Sequence, residues 1–329
     1  MPEPPVTAAD LLGGAVVVRL PLRVPFRGLV EREVLLMAGP AGWGEFAPFA
    51  EYPPAACVPW WRAGREAALD GWPPPVRDRV PVNATVPAVP AEQVPAVLAL
   101  VPGAGTAKVK VADPAGTVAD DLERLEAVRA ALGPAGRVRI DVNGGWDLDT
   151  ALRLLPGYDR AAGGLEYVEQ PCADLADLAV LRRRLDVPVA ADESVRLAED
   201  PTAVARAAAA DVVVLKVAPL GGVRAALRLA ERLGLPVVVS SALDSSVGLA
   251  AGVALAAALP ELPYACGLGT AGLLADDVTD APLLAEDGCV PVRPVAADAS
   301  RVARLAVEPD CATAWRQRLG LAMQEGEGR

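Results

Sequence analysis

Between residues 80 and 267 the chain repeats one pattern: a short run of β-branched and apolar residues, a turn, then a segment with helical spacing. Strands are expected at 80–86, 106–111, 138–142, 166–169, 187–191, 212–217, 236–240 and 264–267. Helices are expected at 91–100, 118–132, 147–155, 175–185, 201–209, 222–233 and 246–259. Strands that alternate with helices through short loops must pair in parallel, because each helix carries the chain back to the same edge. The reading is an α/β chain built on a (β/α)7β TIM-like barrel.

Ahead of the barrel, strands are expected at 15–20 and 31–37, and Gly39-Pro40-Ala41-Gly42 turns the second back into Trp43-Gly44-Glu45-Phe46. A helix over 58–69 follows, then a Pro-rich break at Trp72-Pro73-Pro74-Pro75. The expected organisation is a small α+β capping domain at 1–78, the barrel with its catalytic site at 79–298, and a segment at 299–329 that packs back on the cap. A strand at 304–307 and a helix at 312–321 are expected in that last segment.

Composition narrows the chemistry. The chain has no histidine, which removes Ser-His-Asp and Cys-His nucleophiles, His-ligated zinc and His general bases together. A metal site must then use carboxylates and carbonyls, which favours Mg²⁺, with Mn²⁺ as a possible substitute. A general base must be Lys, Asp or Glu. The net charge of −11 argues against nucleic acid and anionic membranes as partners. The longest apolar run, 247–259, is too short to span a bilayer, so no membrane insertion is expected. Met1-Pro2-Glu3-Pro4-Pro5 has neither a basic nor an apolar region of a signal peptide. Cys57, Cys172, Cys266, Cys289 and Cys311 are scattered and odd in number, and read as reduced packing residues of a cytoplasmic protein. The sequence leaves the oligomeric state open.

Of 31 basic residues only Lys108, Lys110 and Lys216 are lysine. Arginine does not give up its proton, whereas a buried lysine can. All three fall at ends of expected strands, as do Asp141, Asn143, Glu169, Asp192, Ser240 and Ser241. The steps from 110 to 141, 169, 192 and 216 are each close to one β/α unit. Barrel active sites sit at this C-terminal edge. Asp141, Glu169 and Asp192 lie on three successive strands and would repel one another unless a divalent cation sat among them. Any one of them alone reads more simply as a helix cap or loop residue; the three in register beside the only lysines read as a site. Lys110 and Lys216 lie four strands apart, on opposite sides of the barrel mouth.

Asn143 fits either a tight turn with Gly144-Gly145 or a supporting contact to the site. Glu193 is expected to alternate away from Asp192 and to pair with a lysine or stand as a loop charge. Gly267-Leu268-Gly269-Thr270-Ala271-Gly272 matches G-x-G-x-x-G but follows the last strand, so it reads as a turn at the rim rather than a dinucleotide site. A carboxylate-held Mg²⁺ beside opposed lysines suits proton removal next to the carboxylate of a small-molecule substrate. Lys110, nearer the strand end, reads as the base. Lys108, one pleat deeper on the same face, reads as the neighbouring charge that lowers its proton affinity.

The segments Lys108-Val109-Lys110, Asp141-Val142-Asn143, Glu169-Gln170-Pro171, Asp192-Glu193-Ser194 and Lys216-Val217-Ala218-Pro219-Leu220-Gly221-Gly222 together resemble the enolase superfamily, in its muconate-lactonising-enzyme-like branch. The resemblance spans nearly the whole chain. The mandelate-racemase-like branch is disfavoured because its base is a histidine. Further segments, Gly42-Trp43-Gly44-Glu45-Phe46-Ala47-Pro48-Phe49, Val82-Asn83-Ala84-Thr85-Val86, Ser240-Ser241-Ala242-Leu243-Asp244-Ser245-Ser246-Val247-Gly248 and Gly267-Leu268-Gly269-Thr270, are similar to those of the branch's dehydratases of menaquinone biosynthesis. That likeness implies syn-dehydration of 2-succinyl-6-hydroxy-2,4-cyclohexadiene-1-carboxylate, a lyase reaction. Lys110 would take and return the proton, Lys216 would stabilise the enediolate, and Asp141, Glu169 and Asp192 would bind Mg²⁺. Ser240 and Ser241 would contact the succinyl carboxylate, and Pro25-Phe26-Arg27 is a candidate lid. N-succinylamino acid racemisation and dipeptide epimerisation use the same scaffold, although no Asp-x-Asp motif of the epimerase kind stands near the last strands. A barrel that binds without catalysis is the reading from another class.

Overall fold

The computed structural model describes residues 6–26 and 28–327. After a short helix α1 (Ala8–Gly13), strands β1 (Val16–Phe26), β2 (Leu29–Gly39) and β3 (Gly42–Phe46) form an antiparallel meander. Helix α2 (Pro54–Arg65) opens with proline at its first turn, where a missing N–H costs nothing, and runs on into a π-helical turn at Glu66–Asp70. It therefore starts earlier than the 58–69 expected from sequence. The sheet and α2 approach so closely that a Cβ at Gly44 would sit 2.0 Å from the Gly64 carbonyl oxygen.

The barrel strands are β5 (Ala84–Val86), β6 (Thr106–Lys110), β7 (Arg137–Asp141), β8 (Leu165–Glu169), β9 (Val189–Ala191), β10 (Val212–Lys216) and β11 (Val237–Ser240). They pair in parallel in that order. The eighth position is filled by two residues: Cys266 bridges to Val82 and Gly267 to Ser240, which closes the circle. Arg139, fully buried on β7, reinforces this thin side by donating to Asn83 Oδ1 and to the Ala265 carbonyl. The expected strand 80–86 is split. Its start, β4 (Arg79–Pro81), leaves the barrel to pair antiparallel with β12 (Cys289–Pro291).

Helices α3 (Val94–Leu98), α4 (Val118–Leu132), α5 (Leu148–Ala161), α6 (Leu175–Arg184), α8 (Ala203–Arg206), α10 (Val223–Leu233) and α11 (Ser246–Ala258) link the strands. Two four-residue helices, α7 (Glu193–Arg196) and α9 (Val217–Leu220), lie directly after β9 and β10. The expected helix 201–209 shrinks to α8, and Ala208 just past it turns left-handed at φ 49°.

The tail corrects one expectation. Residues 304–307 do not form a strand. Asp298 accepts hydrogen bonds from the Ser300 and Arg301 amides and starts helix α12 (Ala299–Leu305), leaving only Ala306 to bridge Val18. Helix α13 (Pro309–Glu327) then lies on the cap, where Trp315 meets Phe46 edge to face at 6.1 Å and Leu319 is fully buried.

Two cap carboxylates join the units. Glu66 accepts from the Val223 and Arg224 amides at the start of α10. Gly222 precedes them at φ 118°, where a Cβ would lie 2.2 Å from the Glu66 carboxylate, so only glycine fits. Glu45 accepts from the amide and hydroxyl of Ser245 at the start of α11. Both place carboxyl oxygens at a helix N-terminus, where the first amides have no partner within the helix. No helix among the described residues is long and apolar enough to cross a membrane.

Candidate active site

The C-terminal ends of the barrel strands carry the site. In the pairing register Lys110 stands beside Asp141, and Asp141 beside Glu169. Asp192 follows β9 directly, and Lys216 ends β10 beside Ser240. With β7, β8 and β9 between β6 and β10, Lys110 and Lys216 stand on opposite sides of the mouth. A cavity opens there. Lys108, Lys110, Asn143, Lys216, Ser240 and Ser241 all line it. The structure thus brings the sequence-derived candidates together.

Asp141, Glu169 and Asp192 are fully buried beneath this cavity. Lys108 donates to Asp141 at 3.1 Å and to both Glu169 oxygens at 2.8 and 2.9 Å. Lys110 donates to Asp141 at 2.5 Å and to Asn143 Oδ1 at 2.9 Å. Lys216 donates to Asp192. Arg196 donates from Nε to Asp192 at 3.1 Å, and from its other nitrogens to Glu193 at 2.6 Å and the Tyr52 hydroxyl at 2.7 Å.

These contacts set the proton affinities. Burial disfavours the charged form of Lys108, but Glu169 and Asp141 outweigh it and hold this lysine well above its usual value. Lys110 is lowered, first by burial and then by the Lys108 charge, although Asp141 works against both. Lys110 and Lys108 in turn overcome burial and hold Asp141 well below the usual carboxylate range. Asp192 is lowered because Lys216 and Arg196 outweigh its burial. Glu169 goes the other way: burial and the Asp141 charge push it up to about 7 despite Lys108.

The three carboxylates are hard oxygen donors on neighbouring strands, so in kind they fit a hard divalent cation such as Mg²⁺. They lie on one arc of the barrel, at the ends of three neighbouring strands. Among the described residues no three acidic groups close around one centre. Asp141 and Glu169 are drawn to Lys108, while Asp192 turns to Lys216 and Arg196. Glu193 also departs from expectation. It pairs with Arg196 rather than with a lysine and accepts from Asn143 Nδ2 at 3.2 Å, leaving Oε2 buried without a partner.

Several lining residues had not been singled out in the sequence. Arg196 was detectable, since it follows Asp192 by four residues, one helical turn in α7. Phe49, Tyr52 and Trp60 come from the cap and meet edge to face at 6.1–6.2 Å. Of the candidate lid, Phe26 lines the cavity with its ring 5.8 Å from Lys110 Nζ; Arg27 lies outside the described residues. Gln170 is a buried hub: its Oε1 accepts from the Asp192 and Ser194 amides, and its Nε2 donates to the Cys172 carbonyl and to Ser194 Oγ. Ser241 Oγ lies 2.8 Å from Thr270 Oγ1 and donates to the Gly267 carbonyl. The glycine-rich segment turns into a 3₁₀ helix over Gly269–Leu273, and a Cβ on Gly267 would sit 2.5 Å from Ser240 Oγ. Ala112, Asn143, Gln170 and Leu243, each just past a strand end, have positive φ of 41–62°. Such local strain gathers where side chains must be aimed.

Comparison with known proteins places the chain in a family. The family model described as "Enolase C-terminal domain-like" matches residues 94–296, and "Enolase N-terminal domain-like" matches 17–68. The o-succinylbenzoate synthase of Thermobifida fusca is 62% identical over 92% of this chain and 94% of its own length. That of Mycolicibacterium smegmatis is 56% identical over 90% and 91%. Among solved structures, muconate lactonizing enzyme from Pseudomonas fluorescens, complexed with muconolactone, superposes with a TM-score of 0.76 at 24% identity, covering 89% of this chain and 98% of that one. The L-Ala-D/L-Glu epimerase from Bacillus subtilis gives 0.72 at 22%, covering 86% and 96%. At these identities the structures speak for the fold alone, whereas the sequence relatives place the chain within the enolase-like proteins as a member of the o-succinylbenzoate synthase family.

Proposed function

We propose that this chain dehydrates 2-succinyl-6-hydroxy-2,4-cyclohexadiene-1-carboxylate to 2-succinylbenzoate and water, a step of menaquinone biosynthesis. The observation that carries the reading is the pair of opposed lysines at one cavity, Lys110 on β6 and Lys216 on β10, each held by a buried carboxylate. The proton to be removed lies next to the ring carboxylate. Lys110 Nζ takes it in the neutral form that burial and Lys108 favour. The electron pair released expels the ring hydroxyl, which leaves as water with that proton, and the ring becomes aromatic. Lys216, on the other face, stabilises the enediolate. Ser240 and Ser241 line the same cavity, where their hydroxyls can receive the succinyl carboxylate.

Asp141, Glu169 and Asp192 would hold a divalent cation, Mg²⁺ or Mn²⁺. Bound there, it would neutralise the substrate carboxylate and so make the adjacent C–H more acidic. Lys108 holds two of these carboxylates in place by hydrogen bonds, and Asn143 orients Lys110 from the side.

Incubation of the purified protein with the cyclohexadiene carboxylate and Mg²⁺ should yield 2-succinylbenzoate, followed by its absorbance. No product at any Mg²⁺ concentration overturns the reading. Racemisation of N-succinylamino acids is a second reading, because Lys216 reaches the cavity from the side opposite Lys110 and could exchange a proton there. Uptake of deuterium at Cα in ²H₂O would reveal it.

A further inference from the structure

The segment between β3 and α2 walls the cavity with Phe49 and Tyr52 yet has no regular structure of its own. Its backbone carbonyls are gathered instead by one distant side chain. Arg318, on α13, donates from Nη1 to the Pro48 carbonyl at 3.1 Å, and from Nη2 to the Phe49 and Tyr52 carbonyls at 2.5 and 3.0 Å. These three acceptors lie within one turn, closed by the Tyr52 amide on the Phe49 carbonyl at 3.1 Å. A guanidinium fork suits three carbonyls, since its donors are fixed in one plane. Arg318 is itself set by the helix that carries it: its guanidinium lies 5.5 Å from the Trp315 ring, and Trp315 and Leu319 are buried against the cap.

The other end of the segment is tied to the barrel. Arg196, which also holds Asp192 and Glu193, donates to the Tyr52 hydroxyl at 2.7 Å. The wall is thus held from behind through its backbone and from the front through one hydroxyl. Arg32 adds a bond to the Ala47 carbonyl at the segment's start and stacks 4.3 Å from the Phe49 ring.

We infer that Arg318 is a positioning residue for substrate binding: from the C-terminal helix it clamps residues 48–52 so that Phe49 and Tyr52 form the cap side of the cavity. This rests on the reaction assigned above for its kinetic arm alone. The clamp acts on the closed position of the wall, not on proton transfer, so its loss should weaken substrate binding and spare the chemical step.

The test compares Arg318→Ala, Arg318→Lys and Tyr52→Phe with the unaltered chain. Amide hydrogen exchange of a peptide spanning 47–53 is the first readout and needs no substrate. Exchange at Tyr52 should quicken tenfold or more in Arg318→Ala and by less in Arg318→Lys. Steady-state kinetics with the cyclohexadiene carboxylate is the second. KM should rise about tenfold in Arg318→Ala with kcat within a factor of two, and Arg318→Lys should recover part of the loss. Because both anchors hold one wall, the KM effect of Arg318→Ala joined with Tyr52→Phe should fall short of the product of the separate effects. Unchanged exchange overturns the clamp. Faster exchange with unaltered KM overturns its role in binding. A fall in kcat that tracks a lowered melting temperature, with no KM change, makes Arg318 a folding residue only. If the unaltered chain does not turn over the substrate, the assigned reaction fails while the exchange result still decides the clamp.

Discussion

Replacing Lys108 with methionine keeps the apolar stem and removes the charge. Lys108 is buried, and its ammonium lies 2.8–3.1 Å from three oxygens of Asp141 and Glu169, both fully buried. Removing one partner of such a set costs roughly 3–5 kcal/mol, because the carboxylates left behind are desolvated and less neutralised. Unfolding entropy near roughly 2.1 cal/mol/K per residue gives a chain of this length about 0.7 kcal/mol per degree, so the melting temperature should fall by about 4–7 °C. The loss should depend on pH. Glu169 is raised to about 7 by burial and Asp141 in the intact chain. A carboxyl raised in the folded state contributes stability that is full below its unfolded value and lost as pH rises through its folded value. Without Lys108 this group moves higher still and loses stability over a wider range. The deficit should therefore be larger at pH 8 than at pH 5. Calorimetry at the two pH values measures it. Melting within about 1 °C of the intact chain at both would show that Lys108 is not the buried counter-ion of these acids.

The roles of the two lysines on β6 separate by a charge-preserving change. Lys110→Arg should lose at least about a hundredfold in kcat, since arginine cannot take up the proton, whereas Lys108→Arg should keep substantial activity. The reverse order would exchange their roles. Glu45 offers a second pH-dependent group. Burial and the neighbouring Asp244 push it up to about 8, with Asp277 adding to the rise and Ser245 and Arg32 opposing it. Its contribution to stability is full below about 4.5 and disappears as pH climbs through about 8. Glu45→Gln should flatten that part of the melting-temperature profile and surpass the intact chain above pH 8, and parallel profiles would refute this.

The strand-end register was legible because a parallel barrel repeats. One unit after another places a strand end at the same edge, so Lys110, Asp141 and Glu169 fall side by side once the period is found. The tail was not legible in the same way. Residues 304–307 have strand composition, but Asp298, six residues upstream, caps a helix that takes in Arg304 and Leu305. Local propensity gave way to a cap whose effect reaches forward along the chain. Glu193 was placed by strand alternation, yet the strand ends at Ala191, and the helical turn that follows brings Arg196 to it. The cap side of the cavity was hidden for a different reason. Phe49, Tyr52 and Trp60 carry no chemistry that spacing reveals, and Arg318 acts on backbone carbonyls about 270 residues away, a pairing that only the packing of α13 on the cap creates.

The charges at the rim constrain the substrate more tightly than the shape does. Asp141, Glu169, Asp192 and Glu193 face Lys108, Lys110, Lys216 and Arg196, so acids and bases are equal in number at a buried site while Lys110 keeps its proton. Uncompensated charge there is costly. A divalent cation held by the acids adds two positive charges, which a substrate with two carboxylates cancels and one with a single carboxylate does not. The ring and succinyl carboxylates of the proposed substrate meet that requirement. The corresponding measurement is competition by a carboxylate that lacks the succinyl tail against one that keeps it. At equal Mg²⁺ the dicarboxylate should bind at least tenfold more tightly, about 1.4 kcal/mol. Equal inhibition by the two would mean that the second carboxylate stays in solvent and that the balance at the rim has another origin.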